Sequence, residues 1–308
     1  YYFIDNQYYF KRDGLYGHYD DAERFAFFSR AVLDIIPHIG FTPDIIHCND
    51  WQTAMVPVYL DTIYRDNDIY RNIKTVFTIH NIQYQGKYGH ELTGDVLGLP
   101  YESESLVEYD GCVNLMKGAI QCADKVTTVS PTYAREILEP YYSNGLDNIL
   151  KQFTYKLTGI VNGIDYDVYN PETDNLIYKN YSVDDLKNKA YNKKMLLKEM
   201  GLPETDAPVI GLVTRKGLDL VKCVFKELLK ADLKFVILGS GEWEFETFFH
   251  NAAQNHPDKV ALKLGFNPQL AHKIYAGADM FLMPSKFEPC GLAQMIALRY
   301  GTITIVRE

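Results

Sequence analysis

"VIGLVTRKGLDLV", Val209 to Val221, decides the fold. It opens on an unbroken apolar run of strand length, passes a single turn, and continues with Leu218 and Val221 at helical spacing. That is a buried strand feeding an amphipathic helix. At the turn Arg215 and Lys216 stand side by side before Gly217. Two cations repel the positive end of a helix dipole, so the arrangement calls for an anionic ligand.

The same unit recurs on both sides. Downstream come "LKFVILGSG", "VALKLGF", "DMFLMPS" and "TITIV", separated by helical stretches such as "WEFETFFHNAAQ" and "PQLAHKIYAGA". Upstream come "PDIIHCND", "KTVFTIHN", "KVTTVS" and "LTGIVNGI", again with helices between them. Strands alternating with helices predict parallel sheets with right-handed crossovers, an α/β fold. A length of 308 residues, at ~100–200 residues per domain, predicts two domains. Residues 1–169 read as a first Rossmann-like domain and 208–308 as a second. Residues 170–207 carry no strand and read as a connector around the polar helix "SVDDLKNKAYNKKMLLKEMG". Asp20 and Glu23 are spaced for a capping box at the head of "DDAERFAFFSRAVLDII". Pro57 predicts a kink in the helix after Trp51. Residues 82–111 read as a long loop, and long ordered loops are usually functional.

Composition excludes several classes. The formal charge is −9 with no Lys/Arg-rich cluster, which argues against a nucleic-acid partner. Five dispersed cysteines without a C-x-x-C pair read as reduced thiols in a cytosol-like compartment. No stretch approaches the ~20 apolar residues of a membrane span, so no membrane partner is expected. No signal peptide is visible, although the chain starts at "YYFIDNQYYF" without Met and leaves room for a native segment before it. The abundant Tyr and Phe suit both sugar-binding faces and ordinary cores, and composition alone favours cores.

Parallel sheets of this kind take ligands outside the carboxyl ends of their strands. In the first domain those ends carry His47, Asn49 and Asp50, then His80 and Asn81, then Asn162. In the second they carry Thr214, Arg215 and Lys216, then "GSGE" from Gly239 to Glu242, then Phe266, then Ser285, Lys286 and Glu288. Two polar faces meeting across a hinge would make an interdomain cleft. The second set suits a phosphate: cations, glycines at Gly239 and Gly241 that permit close backbone approach, and helix amino ends. As a motif "GSG" is weak. Other readings stay open. His47 is a site residue or a hydrogen-bonding partner of a neighbouring loop. Glu288 is a site residue or a helix cap, and Phe266 alone reads as core. His47, Asp50 and His80 lack the spacing of a metal site, and "DND" at Asp66–Asp68 reads as a solvated turn.

Several stretches taken together resemble one family. "PDIIHCNDWQTAMVPVYL", "TVFTIHNIQYQGKYG", "KGAIQCADKVTTVSPTYAREI", "GIVNGIDYDVYNP", "KGLDL" and "IYAGADMFLMPSKFEPCGLAQMIALRYGT" are similar to bacterial glycogen synthases and plant starch synthases, retaining GT-B glycosyltransferases. The resemblance implies transfer of glucose from a nucleotide-glucose, usually ADP-glucose, to the non-reducing end of an α-1,4-glucan, with no cofactor and no metal. By the same resemblance Arg215 and Lys216 hold the donor diphosphate, His80 lies beside the transferred glucose and Glu288 contacts its hydroxyls. Phe266 falls on the adenine, and Gly239, Gly241, Cys290 and Gly291 belong to the donor side. Asp50, Asn81 and Asn162 fall on the acceptor side. It places the protein in the cytoplasm of a bacterium or the plastid of a plant, and says nothing of oligomeric state.

The chemistry agrees with those assignments. Breaking a sugar–phosphate bond puts negative charge on the departing diphosphate, which preorganised cations stabilise. No pair of carboxylates sits at matching strand ends for a double displacement, so same-face attack is expected, the leaving phosphate taking the acceptor proton. Closure of the two domains is expected to gate the reaction. Two rival readings are a GT-B enzyme with a small-sugar acceptor and an inactive glucan- or nucleotide-binding fragment.

Three departures from the family carry expectations. Its K-x-G-G-L loop would precede Tyr1, and its T-G-G-L loop would follow Glu308, so both domains read as incomplete. Its Arg and Lys are separated, in a pattern like R-L-x-x-Q-K-G, whereas here they adjoin. This predicts a missing loop between Arg215 and Lys216, with their C–N separation far beyond the ~1.33 Å of a peptide bond.

Overall fold

The computed structural model describes residues 1–213, 217–285 and 287–306. The chain forms two compact units, Tyr1–Asn162 and Gly163–Glu308.

The first unit begins with α1 (Gln7–Phe10) and the amphipathic α2 (Asp21–Asp34). There follow β1 (Ile45–Asn49), α3 (Met55–Tyr59), β2 (Lys74–Ile79), β3 (Lys87–Tyr88), α4 (Leu92–Asp95), β4 (Glu108–Tyr109) and β5 (Cys112–Asn114). It closes with α5 (Leu115–Cys122), β6 (Lys125–Thr128), α6 (Pro131–Glu136), α7 (Asp147–Gln152) and β7 (Leu157–Gly159). Strands β1-β2-β6-β7 pair in that order, all parallel. The register sets Asn49 beside Thr78 and Thr128 beside Gly159, so the carboxyl ends come level along one edge. Phe77, Ile79 and Val126 are buried in the strands, with Met55, Val58 and Tyr59 of α3 and Leu115, Ala119 and Ile120 of α5. Helix starts follow local chemistry. Asn114 Oδ1 accepts from Lys117 N–H at 3.0 Å to cap α5, and Ser130 with Pro131 opens α6.

Three local expectations change. Asp20 precedes α2 but makes no side-chain cap. Arg12 grips its carboxylate with two nitrogens, at 2.5 and 2.7 Å, and Glu23 accepts instead from the Tyr9 hydroxyl. A bidentate charged pair outcompetes a cap to neutral N–H groups. The expected loop at 82–111 carries structure: β3 and β4 flank β5 in a small antiparallel sheet. Pro57, expected to kink its helix, lies in the first turn of α3, where its missing N–H costs no helical bond, and a π-helical turn follows at Leu60–Tyr64.

The second unit contains α8 (Lys187–Glu199), β8 (Val209–Val213), α9 (Leu218–Leu228), β9 (Lys234–Gly239), α10 (Trp243–Asn255), β10 (Val260–Leu264), α11 (Pro268–Gly277), β11 (Met280–Met283), α12 (Leu292–Arg299) and β12 (Ile303–Val306). All pairs are parallel, in the order β10-β9-β8-β11-β12. The order reverses between β8 and β11, the switch point at which such sheets take ligands. Alternate strand residues face opposite ways. Val209, Val236 and Leu238 pack with Leu196 and Leu197 of α8 and with Leu270 and Ile274 of α11. Ile210, Leu212, Phe235 and Ile237 pack with Phe225 of α9 and Phe249 of α10. Both faces are covered, which is why β8 and β9 read as unbroken apolar runs. The segment read as a connector lies inside this unit, because Leu196 and Leu197 are part of its core.

A buried cluster fastens that segment. Asp174 accepts from the Tyr300 hydroxyl at 2.5 Å and pairs with His272 Nδ1 at 2.7 Å, while the His272 ring stacks on Tyr169. Burial first, and then the Asp174 carboxylate, pushes the Tyr300 phenol up. Tyr300→Phe removes one donor from a buried carboxylate. The expected loss is about 1–3 kcal/mol of unfolding free energy in a denaturant titration; unchanged stability would show that the hydroxyl contributes nothing.

Candidate functional site

The strand-end edge of the first unit gathers three of the expected residues. Asp50 follows β1 directly and takes φ 57°, a conformation non-glycine residues rarely adopt. Its N–H donates to Thr78 C=O at 2.9 Å, and its Oδ1 accepts from His80 N–H at 2.8 Å. Burial raises the Asp50 carboxyl above its usual range, and the backbone N–H groups of His80 and Asn81 offset only part of that rise. Asp50, His80 and Asn81 therefore form one cluster across the ends of β1 and β2. Asn162 follows the end of β7 and is half-buried. His47 takes the other course open to it, though its partner is a strand rather than a loop. Its Nε2 bonds Thr78 Oγ1 at 2.7 Å, and Thr78 bonds Thr127 at 2.6 Å, a chain across three strands.

Sequence reasoning named Asn49 without giving it a role and passed over Thr53. Asn49 Oδ1 lies 2.9 Å from His80 Nε2. Thr53 Oγ1 accepts from Asn49 N–H at 2.6 Å and donates to Asn49 C=O at 2.9 Å. A Thr four residues after a strand-end Asn was the one available signal.

The edge of the second unit is built at the switch point. Gly217 starts α9 with φ 69°. A Cβ there would stand 2.2 Å from Pro284 O and 2.5 Å from Pro284 C, so the first turn of α9 lies directly on the backbone that follows β11. Gly291 starts α12, and a Cβ on it would meet Met283 Cε at 2.6 Å. Two helix amino ends thus converge on the end of β11. Ser285 is buried there, and its hydroxyl has no hydrogen-bond partner among the described residues. Glu288 and Cys290 are half-buried in the loop from β11 to α12. Gly241 sits before α10, where its N–H donates to Glu246 Oε1 at 3.0 Å.

Phe266 is 85% exposed, so it is not core. It lines a cavity of about 170 Å³ with Val213, Leu238, Gly239, Asn267 and Pro268, at the ends of β8, β9 and β10. Asn267, also in its lining, caps α11 by accepting from Leu270 N–H at 2.9 Å. Thr214, Arg215, Lys216 and Lys286 lie outside the described residues, and so does the expected break between Arg215 and Lys216.

Among the described residues no three His, Cys, Asp or Glu side chains gather as a metal site requires. Asp68 of the "DND" turn is at the surface and pairs with Arg71 at 2.7 Å. No helix among the described residues is long and apolar enough to cross a membrane.

Comparison with known proteins gives consistent matches. The starch synthase catalytic domain family matches residues 1–152, and the glycosyl transferases group 1 family matches residues 209–308. A glycogen synthase of Anoxybacillus flavithermus is 55% identical over 100% of this chain and 65% of its own length. One from Geobacillus thermodenitrificans is 54% identical with the same coverage. The chain thus spans 65% of the length of these two relatives. Among solved structures, the catalytic domain of starch synthase IV from Arabidopsis thaliana, bound to ADP and acarbose, superposes with a TM-score of 0.88. It is 39% identical, over 97% of this chain and 63% of that one. A sucrose-phosphate synthase from Thermosynechococcus elongatus, 18% identical over 95% of this chain and 62% of its own, shares the fold at a TM-score of 0.56.

Proposed function

Because the chain belongs to the family of glycogen and starch synthases, we propose that it transfers glucose from ADP-glucose to the non-reducing end of an α-1,4-glucan, with retention of configuration. The observation that carries the reading is 55% identity to a glycogen synthase through the whole chain. Of the described residues matched by motif, Asp50 and His80 follow the carboxyl ends of β1 and β2, and Phe266 and Glu288 follow those of β10 and β11, the edge at which such folds bind ligands.

The roles follow from the chemistry. The bond from glucose C1 to the diphosphate breaks, leaving positive charge on the ring and negative charge on the departing phosphate. Arg215 and Lys216 stabilise the phosphate. The amino ends of α9 and α12 turn N–H groups and positive dipole ends toward the same region. Glu288 holds the glucose hydroxyls. The acceptor hydroxyl oxygen bonds to C1 on the face the phosphate leaves, and its proton passes to the leaving phosphate oxygen. Neither a metal nor a covalent glycosyl-enzyme takes part in this scheme. Trapping a glycosyl adduct on a carboxylate by rapid quench would overturn the last point.

The test is incorporation of labelled glucose from ADP-glucose into glycogen. Label entering a small sugar but not glycogen would instead favour a different acceptor, and no transfer to either would remove the enzymatic reading. Phe266 gives a sharper arm. Stacking of a base on an aromatic ring contributes ~1–3 kcal/mol, so Phe266→Ala should raise the KM for ADP-glucose about 5- to 150-fold with kcat little changed. Its exposed side chain makes an altered melting temperature unexpected. An unchanged KM would take Phe266 off the adenine.

A further inference from the structure

His80 is tied at two points by consecutive residues, Asn49 at the end of β1 and Asp50 just after it. Its backbone N–H donates to Asp50 Oδ1 at 2.8 Å, and its ring Nε2 lies 2.9 Å from Asn49 Oδ1. Asn49 is itself firmly placed. It ends β1 in register with Thr78 of β2, and the Thr53 hydroxyl closes on both its N–H and its C=O. Asp50, next in the chain, holds its unusual φ of 57° while bonded to β2 through Thr78 C=O. The carboxyl end of β1 therefore aims two side-chain oxygens at His80, a residue 31 positions away from Asn49.

The choice of atoms has a chemical consequence. An amide oxygen accepts hydrogen bonds and cannot donate them. A bond from His80 Nε2 to Asn49 Oδ1 therefore requires the proton on Nε2. A neutral imidazole carries one proton, so Nδ1 keeps its lone pair. Among the described residues no hydrogen bond reaches Nδ1. The atom left open is thus an acceptor.

We propose that Asn49 is a positioning residue for His80: it holds the ring as the Nε2–H tautomer and presents Nδ1 to a hydroxyl group of a bound sugar. The identity of that ligand rests on the function proposed above, whereas the tautomer does not. Thr53 acts one step further back, by fixing the backbone of Asn49. A neutral amide suits this task better than a carboxylate would. It orients the ring without adding charge, and a charged partner would favour the imidazolium, which has no lone pair to offer.

The decisive measurement is the nitrogen spectrum of His80 in protein labelled with ¹⁵N-histidine, its signals identified by their loss in His80→Gln. At a pH where the ring is neutral, the expected pattern is a protonated Nε2 and an unprotonated Nδ1. In Asn49→Leu the ring should populate both tautomers, and kcat for glucose transfer should fall on the order of tenfold, as expected when a group that orients the bound sugar is set loose. The KM for ADP-glucose should stay within about twofold, since the base and diphosphate contacts are elsewhere. Asn49→Asp keeps the acceptor oxygen and should keep the proton on Nε2 whenever the ring is neutral. Three results would each overturn the proposal: a proton on Nδ1 in the parent protein, the reverse amide orientation; a spectrum unmoved in Asn49→Leu; or a kcat unmoved although the tautomer is lost. A parent protein with the expected tautomer but no glucose transfer would refute the proposed function and leave the orienting bond standing, so the two failures are distinguishable.

Discussion

Glu288→Ala is expected to lower the turnover of ADP-glucose by about 10²–10³-fold, the range for loss of one preorganised electrostatic contact to a transition state. The affinity for the donor should change far less. The prediction rests on where Glu288 sits. It lies in the loop between β11 and α12, next to buried Pro289 and three residues after buried Ser285. That loop is framed by the close approach of Gly217 to Pro284 and of Gly291 to Met283. A carboxylate in a braced loop is held in place before the substrate arrives, so little reorganisation is needed as charge develops on the sugar. Positive charge on the ring exists only near the transition state. An anion that meets it contributes to kcat, whereas one that only anchors the ground state contributes to KM. Glu288→Gln separates the two components, because it keeps the hydrogen-bonding shape and removes the charge. An intermediate loss in the glutamine variant assigns the remainder to electrostatics. Parental turnover in Glu288→Ala, with an unchanged melting temperature, would take the residue out of the site.

The contrast between legible and illegible features follows from which forces act locally. The strands β8 to β12 announce themselves because both faces of their sheet are covered, which forces apolar runs bounded by turns. Their carboxyl ends were legible as a candidate site from the parallel topology, which puts ligands at that edge. The helix α8 was harder to place. Its pattern is mostly polar, and part of its fastening is a buried amide: Asn192 accepts from the N–H groups of Tyr178 and Lys179 and donates to Lys179 C=O. A hydrophobic pattern cannot reveal packing done by hydrogen bonds. The sheet β3-β5-β4 escaped because strands of two or three residues have no period to read. The cap expected at Asp20 lost to Arg12, a partner eight positions away that local rules do not weigh. Asn49 has the same character. Its neighbours in sequence are ordinary, and only the register of β1 on β2 brings it to His80. Phe266 misleads for a statistical reason, since an aromatic ring after an apolar strand is usually buried, and this one stands in the open over a cavity.

Gly217→Ala should be the most damaging single-methyl change in the second unit. Two separate penalties meet there. The residue has φ 69°, a left-handed conformation that costs an L-residue roughly 1–2 kcal/mol. The added Cβ would also lie 2.2 Å from Pro284 O and 2.5 Å from Pro284 C. Both are backbone atoms, so no rotamer change relieves the overlap, and either α9 or the end of β11 must move. Overpacking of that kind costs about 1–3 kcal/mol. The sum is about 2–5 kcal/mol, or on the order of 10 °C in the unfolding midpoint of a domain of this size. Gly201→Ala supplies the control. Gly201 has φ 72°, and a Cβ on it meets nothing within 4 Å, so only the conformational cost applies. The difference between the two variants, read by calorimetry, isolates the close approach at the switch point. It should appear in function as well. Displacing the first turn of α9 from Pro284 moves a helix amino end out of the region proposed for the diphosphate, so ADP should bind more weakly to Gly217→Ala even at temperatures where the protein stays folded. Equal losses of stability in the two variants, with ADP affinity unchanged, would mean that the contact between α9 and the end of β11 neither braces the fold nor shapes the donor site.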